Sequence, residues 1–231
     1  MTDTASPGAV SPEVAEPRIP GLAVALTAIA AWVDAAGFLV ASDFFVSFMS
    51  GNSTHSVVSL ARLDLGGAAI IGAVILLFLA GVVLGELLSL TGAGWRQPLV
   101  YLAEAVLLWL VAVALWQDWP VLLALPALAL AMGVHNATLH PARGAAVRTY
   151  VTGTIVQFGR GLADMARGRG GRAEAAGNGL VWGCFLAGAL LGGLAALVLG
   201  AAAALALPAA FATGMAALSA YALHSRQRPP V

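Results

Sequence analysis

The chain has 231 residues, 60% of them hydrophobic and only 10% charged, with a mean hydropathy of +0.91. A soluble domain carries about 25% charged residues. This composition therefore excludes a water-facing globular surface and points to an integral membrane protein, with no room for a separate soluble domain of ordinary size. Eleven basic and eleven acidic residues sum to zero, which excludes a basic nucleic-acid binder and an acidic disordered chain.

Residues 1–20 are polar and punctuated by Pro7, Pro12, Pro17 and Pro20. They are expected to form a disordered cytoplasmic tail. The apolar run that follows does not read as a signal peptide. The segment before it is acidic (Asp3, Glu13 and Glu16 against Arg18), and the run is too long. About 20 apolar residues cross a bilayer, and six segments meet that length: roughly 21–42, 66–90, 98–117, 120–140, 178–200 and 203–223. They define a membrane domain over 21–225. Gln117, Asp118 and Trp119 divide the third and fourth spans, and a turn between Gly200 and Pro208 divides the last two. Trp95, Trp116, Trp119 and Tyr221 sit near span ends, as an aromatic belt would. Cys184 is the single cysteine, so no intrachain disulfide forms.

All eleven basic residues are arginine. With the N-terminus inside, Arg18, Arg96, Arg143, Arg148, Arg160, Arg167, Arg169, Arg172, Arg226 and Arg228 face the cytoplasm and Arg62 alone lies outside. The positive-inside bias therefore predicts both termini in the cytoplasm.

The two halves, 21–117 and 120–225, echo one another. Asp34 and Asn136 are 102 residues apart, as are Phe48 and Tyr150, Ser50 and Thr152, Gly51 and Gly153, and Gly81 and Gly183. Three crossings per half force the second half to enter from the opposite side. The expected fold is an all-α bundle of six transmembrane helices, built as two inverted three-helix repeats. That architecture is characteristic of secondary transporters.

The run VDAAGF from Val33, then F-x-S-x-M-[ST]-G-N through Asn52, G-x-x-N-A from Gly133 and TYVTGT from Thr149 resembles the YoaK-type family of small bacterial membrane proteins, a domain of unknown function. The family usually has Thr where this chain has Ser50, and the hydroxyl is kept. The resemblance implies six helices and a cell-membrane location, expected to be the bacterial inner membrane, and it implies no established activity.

Three acids fall inside the spans. Asp34 at a helix centre costs about 2.5–3.5 kcal/mol on insertion scales. It reads either as a proton, cation or ligand site or as a hydrogen bond that fixes packing. Its counterpart Asn136 cannot ionise. Glu86 and Glu104 face the inner side, where either could pair with Arg96 or serve a site. The segments Ser50-Gly51-Asn52-Ser53-Thr54 and Thr152-Gly153-Thr154 each place a glycine among polar side chains before a helical pattern. Asn52, Thr152 and Thr154 are good helix N-caps. The segments read either as broken helices that hold polar ligand groups or as loops leading into interfacial amphipathic helices. His55, His135 and His140 lack ligand spacing, so neither a metal nor another cofactor is expected. Gly81-x-x-x-Gly85 and Gly188-x-x-x-Gly192 are close-packing patterns, within the chain or in a homo-oligomer. The basic run Arg160–Arg172 suits anionic lipid heads.

No catalytic motif is present. The expected function is transport of a small solute, with a proton or cation at Asp34. The alternatives are a non-transporting scaffold or partner-binding protein and an intramembrane enzyme. A polar cavity touching Gly51 and Gly153 would favour transport, and a filled core would favour the scaffold.

Overall fold

The computed structural model describes residues 21–41, 44–88, 94–138 and 151–227. The tail 1–20 lies outside them, as do Tyr150, His140, Arg143 and Arg148. The described residues form eight helices: α1 (Gly21–Val40), α2 (Met49–Ala61), α3 (Leu65–Leu88), α4 (Arg96–Trp116), α5 (Val121–Asn136), α6 (Val151–Ala166), α7 (Arg172–Leu199) and α8 (Ala201–Gln227). Five of them, α1, α3, α4, α7 and α8, are long and apolar enough to cross a membrane, and α5 is a shorter apolar helix of 16 residues. The chain is a multi-pass, all-helical membrane protein. Helices α2 and α6 are additional to the six apolar runs. They cover the two polar glycine segments.

Local chemistry sets the helix ends. Asp64 precedes α3, and its Oδ1 accepts the Gly67 N–H at 2.9 Å, capping the helix. The turn between α7 and α8 falls at Gly200, whose φ of +83° suits a residue without a side chain. Pro208 does not end a helix; it lies inside α8. The run expected from 178 starts earlier, at Arg172, because Arg172, Glu174 and Asn178 extend the helix beyond its apolar stretch.

Packing follows two glycine seams. Helix α3 lies on α5. A Cβ on Gly81 would stand 2.2 Å from the Leu130 carbonyl oxygen, and one on Gly85 would stand 3.4 Å from that of Val134 and 2.4 Å from Ala137 Cβ. Helix α7 lies on α1, where a Cβ on Gly188 would stand 2.1 Å from the Ala28 carbonyl oxygen and one on Gly192 2.4 Å from that of Trp32. Small residues let these backbones touch. Helix α4 packs along α8, α2 rests on α3, and α6 rests on α7. Indole N–H groups tie α8 to its neighbours: Trp32 donates to the Ala204 carbonyl at 2.9 Å and Trp109 to the Thr213 hydroxyl at 3.1 Å.

The seams correct the expected pairing of Gly81 with Gly183. A Cβ on Gly183 would meet nothing within 4 Å. Gly188 and Gly192 take the places that Gly81 and Gly85 take in the other seam. Ala28 and Leu130 are 102 residues apart, as are Trp32 and Val134, whereas Gly81 and Gly188 are 107 apart. The extra five residues lie between the seams. Helix α6 has 16 residues where α2 has 13, and Arg167–Gly171 replace the three-residue link Arg62–Asp64.

Candidate functional site

Asp34 is buried on α1, and its carboxylate is fully occupied by its own chain. The Val46 and Ser47 N–H groups donate to Oδ1 at 2.8 Å each, and the Ser47 hydroxyl donates to Oδ2. These donors lie in the non-helical link between α1 and α2. Asn52 grips the same link from the other side: its Nδ2 donates to the Phe45 carbonyl at 2.6 Å, and its Oδ1 accepts the Phe45 N–H at 3.3 Å. Two buried side chains thus satisfy the backbone of a segment that no helix serves, as a buried irregular segment requires.

Gly51 completes this arrangement. The Phe48 ring lies where a Gly51 side chain would go, 2.4 Å from an ideal Cβ. Asn52 is not the helix cap that its position suggested. Helix α2 starts at Met49, after Phe48, and Asn52 falls one turn inside it. Ser50 is exposed, and its carbonyl accepts the Thr54 hydroxyl at 3.2 Å. In the second half, Asn136 donates to the Met132 carbonyl at 2.9 Å. Thr152 and Thr154 lie in the first turn of α6 with Gly153 between them; Thr152 is exposed and Thr154 buried.

Glu86 and Arg96 pair at 3.8 Å at the end of α3, and Arg96 also donates to the Ala137 carbonyl at 2.8 Å. That contact closes α3, α4 and α5 at one end of the bundle.

Glu104 has a different partner. Its Oε1 lies 2.7 Å from His135 Nδ1, and His135 Nε2 lies 3.1 Å from the Leu26 carbonyl oxygen. Glu104 is 2% exposed and His135 is completely buried. Two further buried polar atoms here, Glu104 Oε2 and the Tyr101 hydroxyl, have no hydrogen-bond partner among the described residues. Tyr101 and Glu104 are three apart on α4 and so share a face. Leu26, Ala216, Phe211 and Met215 surround Tyr101 with apolar surface.

The sequence reading proposed Glu104 and missed His135. The two are 31 residues apart on different helices, and a histidine followed by Asn-Ala-Thr carries no spacing signal. Its place near the end of an apolar run was the available clue.

Among the described residues, no three His, Cys, Asp or Glu side chains come together to hold a metal ion. An apolar groove of about 210 Å³ between α4 and α8, lined by Trp109, Val113, Trp116 and Ala202, lies apart from both acids.

A multi-pass helical bundle with two buried acids is the class of protein that this geometry defines. Residues 22–218 match the family model described as "Protein of unknown function (DUF1275)", and the chain belongs to that family. It is also 33% identical over 148 residues to the "UPF0700 transmembrane protein RA0705" of Rhizobium meliloti (strain 1021), a match covering 64% of this chain and 63% of that protein. No solved structure matches the chain.

Proposed function

We propose that the protein is a transporter of a small solute in the bacterial inner membrane, built from two inverted repeats with both termini in the cytoplasm. The observation that carries this reading is the exchange of glycine seams. Helix α3 of the first half lies on α5 of the second, and α7 of the second lies on α1 of the first, at matching positions. Each half then contributes three crossings (α1, α3, α4 and α5, α7, α8), and an odd number inverts the second copy. Swapped, inverted halves supply two surfaces that can rock against one another, which is how many secondary transporters alternate access. The polar pair Glu104 and His135 joins α4 of one half to α5 of the other. An ionisable pair placed at such a junction is a functional candidate by default.

The inversion has a direct test. With Cys184 replaced, a single cysteine at Leu63 should react with a membrane-impermeant thiol reagent in intact cells, and one at Arg169 should react only after lysis. Equal labelling of both from outside would end the inverted reading. Transport itself is tested by metabolite profiling of cells with and without the protein, then by flux of the differing metabolite into proteoliposomes. No difference in any solute would sink the transporter.

A second reading, a non-transporting scaffold, has its own support. The Asp34 carboxylate is saturated within the chain, and the Phe48 ring fills the space at Gly51. The flux measurement separates the two readings.

A further inference from the structure

We propose that Glu104 and His135 form a proton-binding site that holds one exchangeable proton inside the membrane. Glu104 Oε2 and the Tyr101 hydroxyl are the polar atoms through which that proton comes and goes. As a coupling site this rests on the transport reading; as a proton site it stands on the geometry alone.

The Leu26 carbonyl can only accept a hydrogen bond, so its 3.1 Å contact fixes a proton on His135 Nε2. The 2.7 Å contact between His135 Nδ1 and Glu104 Oε1 then needs a proton of its own. Either a carboxylic O–H donates to a neutral imidazole, or an imidazolium N–H donates to a carboxylate. Both forms carry one shared proton and no net charge, which an apolar interior favours over a lone ion. Removing that proton turns a carboxylate toward an imidazole lone pair and leaves a net charge of −1. The proton is taken up by water, and the return step reverses this.

A purely structural pair would be expected to have both carboxylate oxygens satisfied, because a buried acceptor without a partner is costly. Here, among the described residues, Oε2 is buried without a partner, one turn from a buried hydroxyl also without one. These two atoms offer an acceptor and a donor to a water or a hydronium-sized guest. Among the described residues, the groups in direct contact with the pair are uncharged. Helix α1 contributes the Leu26 carbonyl and Thr27, whose hydroxyl is spent on the Ala23 carbonyl. Helix α8 contributes Phe211, Met215 and Ala216. The other acids, arginines and histidines on the packed helices are Arg96, held at the Ala137 carbonyl with Glu86 beside it, Asp34, eight residues beyond Leu26 and so about 12 Å farther along α1, and His224 and Arg226, eight and ten residues beyond Ala216 and so about 12–15 Å farther along α8.

The test is nitrogen-15 NMR of histidine-labelled full-length protein in lipid nanodiscs, with His135 assigned as the resonance pair missing from H135N. The expected result is a reversible titration of the His135 ring between about pH 4 and pH 10. E104Q should displace it measurably, because the carboxyl group that shares the proton is gone. Y101F should leave its midpoint nearly unchanged. Loss of the shared proton changes the surroundings of Nδ1 in either form, so an Nδ1 resonance that stays static across that range overturns the proposal, and that result needs only the wild-type spectrum and H135N. A titration unmoved in a folded E104Q also overturns it. Proteoliposomes carrying an internal pH dye keep the two readings apart. A titrating pair with no solute-driven proton flux and no metabolite flux keeps the site and removes the transporter. A static pair with flux does the reverse.

Discussion

The first and second halves of the chain share their packing and differ in their chemistry. In the first half, Asp34 and Asn52 hold the link before α2, and Val33 beside Asp34 is an ordinary buried apolar residue. In the second, the corresponding positions are Asn136, Thr154 and His135, and the histidine reaches Glu104. Glycine seams are repeated because close backbone approach depends only on shape. The ionisable pair is not repeated, and a second buried pair would cost further desolvation free energy. The contrast teaches that the two buried acids are different objects. Asp34 is spent on its own backbone, whereas Glu104 faces a group that can exchange a proton with it.

The largest expected effect tests what the halves share. Gly81→Leu and Gly188→Leu each force a side chain into a facing carbonyl, 2.2 Å and 2.1 Å from the Cβ position. Each should cost more than about 4 kcal/mol and abolish recovery of monodisperse protein from detergent. If only one of the two does so, the seams are not equivalent.

Next comes the Asp34 link. Asp34→Ala strands two backbone N–H groups and a hydroxyl and should destabilise by about 3–5 kcal/mol. Asp34→Asn keeps an oxygen for both N–H groups and an amide for Ser47, and should cost about 1 kcal/mol. Thermal unfolding in micelles measures both. A solute flux that survives in Asp34→Asn would confine this acid to structure, and a flux lost from a well-folded Asp34→Asn would return it to the site.

The asymmetry itself can be erased. His135→Val gives the second half the residue of the first and leaves Glu104 buried without its partner, at a cost of about 3 kcal/mol. Adding Glu104→Met should recover at least half of that loss, because removing both charges is cheaper than removing one. An additive double variant would mean that the two side chains do not act as a pair. The smallest effect is expected from Trp32→Phe, which removes one hydrogen bond to α8 and should lower stability by about 1 kcal/mol.

Much of the fold was legible because hydropathy and helix-breaking residues act locally. The apolar runs mark helices α1, α3, α4, α5, α7 and α8. A turn in the stretch from Gly200 to Pro208 was legible because the last two apolar runs join without a charge, and the structure puts it at Gly200. Other features depended on distant partners. Asn52 looked like a cap because side-chain type alone does not say where a helix begins; α2 starts at Met49, which puts Asn52 one turn inside, where it bonds Phe45. Gly81 was matched to Gly183 because glycine is frequent in these helices, and a chance match is easily made. In the structure Gly188 faces the Ala28 carbonyl as Gly81 faces that of Leu130, whereas Gly183 meets nothing within 4 Å. Asp34 and Glu104 were found as costly residues, but cost does not reveal what offsets it.

The sequence by itself determined a membrane-crossing helical chain, the places where its helices break and the identity of the acids that burial would strain. Composition and period are enough for that, since they report the exchange between water and lipid residue by residue. The tertiary structure decided which acid is saturated, which glycines meet a backbone and which histidine finds a carboxylate. Those outcomes turn on contacts of a few ångströms between helices far apart in the chain, where hydrogen-bond direction and close packing, rather than hydropathy, set the energy.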